Sequence, residues 1–366
     1  MNLFIHQGAE LYGSDVIFEA AVSELADASD IILLPEYGPL CDNLTKSGFN
    51  LKVTQFTKVK RQNYKLSYIL DLFWLFCDLL KYFMLIRRAQ RVYVSTSILP
   101  QFVLLGLLMR KNVVLHAHEC PPHPLLTFYK FLHWIFRKKF KIFVVSHWIQ
   151  EQFGRERALL LPNFVDERKI VTDKRYITGS EVFRFGFVGR LNSWKGADVL
   201  ISATKILTGI TDQKIEIHLF GDVYKNNVLF RTDLLAQVID HKLGNIVKFH
   251  GFVSDPEKIF TEFDCLVVPS KKSEPFGLVV IEALANSKLV IASDQPSFRS
   301  ILTHVELRNG IFSTENSNDL AQKMSDYLAL SSDQYNRKIS AGLETARLYN
   351  LENFRERIRL MWSNMS

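Results

Sequence analysis

The segment DCLVVPSKKSEPFGLVVIEALA, residues 264–285, is typical of one unit of an alternating α/β fold. The apolar run at 265–270 predicts a buried strand, and LVVIEALA at 278–285 predicts a helix. Pro275 and Gly277 interrupt any continuous helix, since proline is tolerated at a helix start and glycine lets the backbone approach a ligand closely. The helix is therefore expected to begin near Gly277 and to present unpaired N–H groups with a partial positive charge.

Two glutamates in this segment are expected at different depths. Glu274 belongs to the predicted turn, whereas Glu282 lies more than one turn inside the predicted helix. Carboxylates accept hydrogen bonds from vicinal hydroxyls, which is how acidic residues hold a ribose or a pyranose. The alternative is that both are solvated charges, although Glu282 has apolar neighbours on both sides.

The same alternation of strand and helix runs along the whole chain. Short runs rich in Val and Ile predict strands at 3–6, 30–35, 91–95, 112–118 and 142–146, and again at 183–189, 215–221, 247–252, 265–270 and 289–293. Helical stretches between such strands predict parallel sheets covered on both faces. The polar segment 165–181 is the natural linker. We therefore predict an α/β chain of two doubly wound, Rossmann-like domains, 1–170 and 171–345, with a ligand cleft between them.

Composition places the chain among folded proteins, with 366 residues, 48% of them hydrophobic and 23% charged. The four cysteines lack CxxC or zinc-type spacing, which favours a reducing, cytoplasmic compartment. No signal peptide is recognisable at the start of the sequence. The apolar stretch 64–86 contains lysines and aspartates, so a buried helix is expected there and not a membrane span.

The net charge of +7 is concentrated in the first half of the chain. The stretch 125–143 predicts a helix in which Phe128, Leu132 and Ile135 share one face. Cations and a tryptophan accompany it: Lys130, Trp134, Arg137, Lys138, Lys139 and Lys141. This composition suits a surface that rests on anionic lipid, and equally an ordinary core helix with a solvated end. Nucleic acid is less favoured, because no nucleic-acid-binding motif accompanies the basic residues.

The stretch FVGRLNSWKG, residues 187–196, is a second candidate ligand site. Arg190 and Lys195 lie five positions apart, between Gly189 and Gly196. Two cations beside exposed loop amides suit a diphosphate, although a turn with two solvated cations is the plainer alternative. Neither a Walker A motif nor GxGxxG occurs in the chain.

The order and spacing of several segments resemble the carboxyl-terminal half of a retaining family 4 glycosyltransferase of GT-B fold. These segments are 187–203, LFGD at 219–222, FHGFVSD at 249–255 and 264–285, in which Glu274 and Glu282 match the E-x7-E signature. LPNFVD at 161–166 is similar to the PNGVD turn of the family, and GSDVIF at 13–18 stands where the family has a glycine-rich loop. YNLENFRERIRLMW at 349–362 resembles the closing helix, which implies that 346–366 pack back on the first domain.

The resemblance implies a role for individual residues. Arg190 and Lys195 would bind the donor diphosphate, Glu282 the ribose and Glu274 the transferred sugar. In HAHE, residues 116–119, His118 would lie beside that sugar, with Glu119 replacing the usual aspartate. The remaining donor contacts would be Gly13, Gly251, Phe252, Val253, Phe276, Gly277, Leu278 and Val279. The catalytic group would be Glu274, His118, Arg190 and Lys195.

A metal site is an alternative reading of His116, His118 and His123, but the sequence supplies no obvious carboxylate partner. The resemblance also implies an enzyme without bound metal. We therefore expect no metal and no cofactor, with a nucleoside-diphosphate sugar as the donor substrate.

The sequence thus predicts a retaining transferase that moves a hexose or deoxyhexose from a UDP or GDP sugar to a hydroxyl of a cell-surface glycan or lipid-linked saccharide. It would be cytoplasmic, peripheral on the inner face of the plasma membrane. Two alternatives remain: a nucleotide-sugar epimerase or hydrolase of the same fold, or a non-catalytic nucleotide-sugar-binding protein. SDQPSFRS at 293–300 and GSD at 13–15 depart from the glycine-rich segments of the family, which leaves the donor sugar open.

Overall fold

The computed structural model describes residues 1–11, 13–59, 65–166, 182–223, 228–253 and 256–365. The chain divides into two compact units, one of Met1–Asn163 with Glu352–Ser366 and one of Phe164–Leu351. The predicted boundary at residue 170 and most of the predicted linker, 167–181, lie outside the described residues. Val165, at the start of that linker, pairs with Asn350 and belongs to the second unit.

The described part of the first unit contains a parallel sheet with helices on both faces. Its strands are β1 (Leu3–Ile5), β2 (Ile31–Leu34), β3 (Asn50–Val53), β4 (Arg91–Val94), β5 (Asn112–Ala117), β6 (Phe140–Val144) and β7 (Ala158–Leu160). Its helices are α1 (Gly13–Leu25), α2 (Pro39–Lys46), α3 (Lys65–Arg88), α4 (Pro100–Leu108), α5 (His123–Phe136), α6 (His147–Phe153) and the closing helix α15 (Leu351–Ser363). The strand order is β3-β2-β1-β4-β5-β6-β7, so the order reverses between β1 and β4.

Right-handed crossovers place α3, α4 and α5 together on one face of this sheet. Phe102 of α4 packs against Tyr82 of α3, with ring centroids 5.0 Å apart. On the opposite face α1 meets α15, where Glu24 pairs with Arg359. Trp362 of α15 stacks on Phe4 of β1 at 5.8 Å. The closing helix therefore belongs to the core of the first unit.

The second unit repeats this architecture. Its described strands are β8 (Val182–Val188), β9 (Lys214–Phe220), β10 (Val247–Gly251), β11 (Cys265–Val268), β12 (Leu289–Ser293) and β13 (Ile311–Phe312). Its helices are α7 (Ala197–Leu207), α8 (Val228–Asp240), α9 (Pro256–Ile259), α10 (Leu278–Ala285), α11 (Pro296–Ile301), α12 (Val305–Arg308), α13 (Ser317–Leu328) and α14 (Ser332–Arg347). The strand order is β10-β9-β8-β11-β12-β13, which reverses between β8 and β11. One face of the sheet packs its apolar side chains against α7 and α13.

The predicted fold class is confirmed, since both sheets are parallel and every predicted strand is present within a few residues. The helix at 64–86, which was expected to be buried, is partly exposed. Within its described side chains, Phe76, Leu80 and Met84 are more than half exposed, while Tyr82 and Ile86 face the core. The helix is apolar on both sides, so hydropathy alone could not show which side faces solvent. None of the described helices combines the length and the apolar composition of a membrane span.

Candidate active site

The reversal of strand order in the second unit lies between β8 and β11. The loops that leave these strands carry five of the predicted donor-site residues: Arg190, Lys195, Glu274, Phe276 and Gly277. Residues 189–196 lead from β8 to α7, and 269–277 lead from β11 to α10. The Lys271 N–H donates to the Trp194 carbonyl at 2.7 Å, which joins the two loops. Open α/β sheets bind ligands at the carboxyl edge of such a reversal.

Two glycines allow helices to begin at this edge. Gly196 has φ 78°, and a Cβ there would lie 1.9 Å from the Pro269 carbonyl oxygen. Gly277 has φ 104°, and a Cβ there would lie 2.8 Å from the ring of Phe298. Helix α10 begins directly after Gly277, as the sequence predicts, and no side chain caps it. Its first N–H groups therefore present a partial positive charge at the carboxyl edge of the sheet.

Lys195 and Glu274 form an ion pair across the two loops. Lys195 Nζ lies 2.7 Å from Glu274 Oε1, and the side chains are 17% and 7% exposed. The Ser270 hydroxyl donates to the same carboxylate oxygen at 2.5 Å. The sequence predicted a ligand role for each residue but not their contact. A polyanion at this edge would compete with Glu274 for the lysine.

Ser270, which sequence reasoning missed, is itself held in place by residues at the end of β12 and just after it. Its carbonyl accepts hydrogen bonds from Ser293 Oγ at 2.7 Å and from Gln295 Nε2 at 3.1 Å. Both belong to the segment 293–300 that departs from the glycine-rich pattern of the family. A serine near the carboxyl end of each of two neighbouring strands was the available signal for this contact.

A second brace, also missed, joins the loop after β11 to the start of α7. Lys271 Nζ donates to Asp198 Oδ2 at 2.5 Å, and these side chains are 22% and 31% exposed. Asp198 lies in the first turn of α7, so the bond ties that turn to the loop after β11. Lys195 thus reaches from the β8 side to a carboxylate on the β11 side, and Lys271 reaches from the β11 side to a carboxylate on the β8 side.

Of the two signature glutamates, the one in the loop is the more buried, although a loop position suggests more exposure than a helix position. Glu274 is 6% exposed although it lies in the loop, whereas Glu282 of α10 is half-buried. Arg190 follows Gly189 and is exposed. Glu274 is buried because the neighbouring loop supplies Lys195 and its own loop supplies Ser270.

The other predicted donor contacts lie along the same edge. Backbone hydrogen bonds link the ends of three strands: Gly189 N–H to Phe220, Leu191 N–H to Asp222 and Gly221 N–H to Gly251. After Gly251, Phe252 is 67% exposed and Val253 is half-buried. Phe276 is buried edge-on against Tyr349, with ring centroids 5.6 Å apart. Leu278 and Val279 form the half-buried first turn of α10.

In the first unit, His118 is a buried, neutral residue at the carboxyl end of β5. It is 8% exposed, and its Nε2 lies 2.9 Å from Ser95 Oγ. Burial, together with the nearby His116 and His6, lowers the pKa of His118 well below its usual value. Its buried Nδ1 has no hydrogen-bond partner among the described residues. The ring is therefore uncharged and keeps one buried nitrogen without a partner in the described part of the chain.

A second buried pair, absent from the sequence predictions, lies at the strand reversal of the first unit. His6 Nε2 is 2.6 Å from Asp15 Oδ1, and His6 Nδ1 is 3.1 Å from the Ser95 carbonyl oxygen. Both ring nitrogens therefore lie within hydrogen-bond distance of oxygen atoms. Gly13 is the first residue of α1, so GSD at 13–15 forms a helical turn and not a loop.

The described residues contain no cluster of three or more His, Cys, Asp or Glu side chains that could hold a metal ion. His116 is buried, with its Nδ1 2.6 Å from Tyr93 Oη, and His118 is bonded to Ser95. His123 is exposed at the start of α5.

Residues 173–344 match the model of the family described as glycosyl transferases group 1. An uncharacterized glycosyltransferase of Methanocaldococcus jannaschii is 30% identical over 192 residues, 50% of this chain and 48% of that protein. The poly(ribitol-phosphate) alpha-N-acetylglucosaminyltransferase of Staphylococcus aureus is 26% identical over 177 residues, 48% of this chain and 33% of that protein. The chain thus matches less than half the length of either curated relative.

Among solved structures, HepE from Anabaena in complex with UDP and glucose is similar with a TM-score of 0.78 and 19% identity. The likeness covers 99% of this chain and 98% of that one. At this identity it shows the fold, and it confirms the predicted GT-B architecture of two Rossmann-like halves.

Proposed function

We propose that this protein, in which residues 173–344 match the glycosyl transferases group 1 model and the fold is GT-B, is a retaining glycosyltransferase. It moves a hexose or deoxyhexose from a UDP or GDP sugar to a hydroxyl of a cell-surface glycan or lipid-linked saccharide. The observation that carries the proposal is the Lys195–Glu274 pair, placed at the β8/β11 reversal beside the start of α10.

Donor binding exchanges the partner of Lys195. A diphosphate carries more charge than one carboxylate, and the first amides of α10 and the exposed Arg190 add to its attraction. Lys195 is 17% exposed, so its amine can reach an anion at the carboxyl edge with little rearrangement. Glu274 then accepts hydrogen bonds from hydroxyls of the donor sugar, and Glu282 binds the ribose.

The same groups support the chemical step. Departure of the nucleoside diphosphate concentrates negative charge on its phosphate, where Arg190, Lys195 and the α10 amides stabilise it as it develops. The leaving phosphate takes the proton of the acceptor hydroxyl on the same face, so the configuration is retained without a carboxylate nucleophile or a metal ion. His118, kept neutral by burial, contacts the transferred sugar.

A donor and acceptor screen tests this function. The release of UDP or GDP from a panel of sugar nucleotides is followed with and without alkyl glycosides, and the anomeric configuration of the product is read by proton NMR. We expect release that depends on the acceptor and a product with the configuration of the donor. Equal release without acceptor would instead favour a hydrolase or epimerase, and binding without release a non-catalytic protein.

We also propose that the first unit contacts anionic membrane through the end of α5. Trp134 is 73% exposed, and Arg137, Lys138 and Lys139 are exposed in the turn that follows the helix. Each cation near an anionic surface contributes about 1 kcal/mol. Replacing all three by Gln should therefore weaken co-sedimentation with anionic vesicles by roughly 100-fold. The matched control replaces the exposed Lys46, Lys52 and Lys205, and equal loss in both variants would contradict the assignment.

A further inference from the structure

An apolar pocket lies in the layer that α3, α4 and α5 form on the first unit. Its volume is about 500 Å³, within the range of about 300 to 1,000 Å³ that is usual for small-molecule sites. Its walls include Leu75, Phe76 and Leu79 of α3, Leu104 of α4, and Leu125 and Phe128 of α5. None of the described residues that line it is charged. A sugar or a nucleotide would lose its hydration there without compensation, whereas a hydrocarbon chain gains about 0.8 kcal/mol for each methylene that it buries.

One polar side chain, Gln101, belongs to the wall of the pocket and has a fixed orientation. Its amide nitrogen donates to the Thr57 carbonyl at 2.7 Å and to Asp78 Oδ2 at 3.2 Å. Both partners are acceptors, so the amide cannot be flipped. Its oxygen is buried and has no hydrogen-bond partner in the described part of the chain. Among the described residues that line the pocket, Gln101 is thus the one polar side chain in otherwise apolar walls.

The pocket lies toward the carboxyl edge of the sheet. Pro100, the first residue of α4, is at that edge, because a crossover helix starts where the preceding strand ends. Gln101 is four residues from Ser97, hence at most about 14 Å along the chain. The Ser97 N–H and hydroxyl both donate to Glu119 Oε1 at 2.7 Å, and Glu119 directly follows His118. The pocket is therefore close to the residue predicted to touch the transferred sugar.

The surface around the pocket suits a lipid. Phe76, Leu80 and Met84 expose one face of α3, with exposed fractions of 57%, 66% and 53%. Between residues 74 and 150 the acidic residues are Asp78, which is buried, and Glu119, which is held by Thr96 and Ser97. Among the described side chains of this layer, the exposed charge is consequently positive, complementary to an anionic lipid surface.

We propose that this pocket holds the hydrocarbon chain of a lipid-linked acceptor, whose saccharide extends to the carboxyl edge of the same sheet. The inference rests on the proposed transferase activity and narrows its acceptor to amphiphiles with a chain next to the sugar. Free glycans then lack a large part of the binding free energy available to the lipid-linked form.

The first arm of the test measures chain binding without catalysis. The probe is dansyl-labelled undecanoic acid, whose fluorescence rises in apolar surroundings. Leu104→Trp fills the pocket and should weaken probe binding at least tenfold, whereas Leu108→Trp, on the exposed side of the same helix, should leave it unchanged. Circular dichroism checks folding, and Leu125→Gln at the half-buried rim replaces Leu104→Trp if that variant does not fold.

The second arm measures transfer to methyl and dodecyl glycosides of one sugar, with the dodecyl compound below its micelle concentration. We expect a KM at least tenfold lower for the dodecyl acceptor in the native protein and in Leu108→Trp. In Leu104→Trp the difference should disappear, with transfer to the methyl glycoside unchanged.

The outcomes separate the two proposals. Transfer with equal KM for both acceptors and no probe binding overturns the chain site but leaves the transferase standing. Probe binding that Leu104→Trp abolishes, without transfer to any acceptor, supports the chain site and contradicts the proposed function. Leu104→Trp could also lose its binding to anionic vesicles and still prefer the dodecyl acceptor. That result would overturn the proposal that the pocket holds the chain of the acceptor.

Discussion

The two units reverse their strand order at corresponding places, and a different side-chain pair lies at each reversal. In the first unit His6 is fully buried between Asp15 and the Ser95 carbonyl. In the second, Lys195 reaches across two loops to Glu274 and keeps 17% of its side chain exposed. The first pair is sealed inside one unit, whereas the second lies at the carboxyl edge beside the start of α10.

This difference in accessibility suggests different roles: the His6–Asp15 pair supports the fold, and the Lys195–Glu274 pair binds a ligand. A sealed pair has no competitor for its partner, so removing one member leaves the other buried without that partner. A lysine at an accessible edge can exchange its carboxylate for a phosphate with little rearrangement. We therefore expect the first pair to govern stability and the second to govern turnover.

The largest effect is expected from Asp15→Ala, which leaves His6 without its carboxylate. The free energy of unfolding should fall by about 3 to 5 kcal/mol, while the activity per folded molecule is retained. Urea denaturation measures the loss, and Asp42→Ala, at an exposed position in α2, serves as control. A loss below about 1 kcal/mol would show that the pair is not a structural support.

Next in size is Lys195→Ala, which should lower kcat about 100- to 1,000-fold, the effect of losing one group that stabilises transition-state charge. Its loss of stability should be smaller than that of Asp15→Ala, because water can reach Glu274 once the lysine is removed. The exposed Lys205→Ala in α7 is the matched control. Near-normal turnover in Lys195→Ala would remove the lysine from the donor site.

These two pairs also show what the sequence could and could not predict. Lys195, Glu274 and Gly277 stand in local motifs, so their residue types and spacing alone indicate a loop and a helix start. The contact between Lys195 and Glu274 joins residues 79 positions apart, and no local pattern encodes it. His6 gave no signal, because a single histidine after a short strand is compatible with many environments.

For the fold, too, the sequence predicted some strands and missed others. The central strands are continuous apolar runs, which identify buried parallel strands. The edge strand β3 was missed because NLKV mixes polar and apolar residues, and β7 and β13 because they are very short. For α3, the sequence showed apolar residues on both sides of the helix but not which of them the neighbouring α4 covers.

A third prediction concerns pH and the histidines of the first unit. Burial, with a smaller contribution from His6, lowers the pKa of His116 to about 3, well below the value near 6.5 of the unfolded chain. The unfolded state thus binds the proton first, and stability falls as the pH drops below about 6.5, by up to about 1.4 kcal/mol for each pH unit.

His116→Asn should flatten that slope between pH 6.5 and about 4, measured as the free energy of unfolding at several pH values. His123→Asn, at an exposed position, should leave the slope unchanged. An identical slope in the native protein and in His116→Asn would show that this histidine is not kept neutral by the fold.

The smallest effect is expected from Lys271→Met, which removes the brace to Asp198. Both side chains are partly exposed, so the stability should change by at most about 1 kcal/mol. The brace positions the loop after β11, so KM for the donor should rise a few-fold. Because the brace touches no predicted ligand, kcat should stay nearly constant. A loss of kcat as large as that of Lys195→Ala would move Lys271 into the donor site and remove the contrast between the two lysines.

Thermal stability in the presence of UDP, GDP, dTDP and ADP sugars tests the central claim most directly. At about 100 times its dissociation constant, the donor should stabilise the protein by about 2.7 kcal/mol. We predict that at least one of these nucleotides raises Tm, that Lys195→Ala abolishes the shift and that Lys205→Ala preserves it. No shift with any of them, or an equal shift in Lys195→Ala, would contradict a nucleoside-diphosphate site between the loops after β8 and β11.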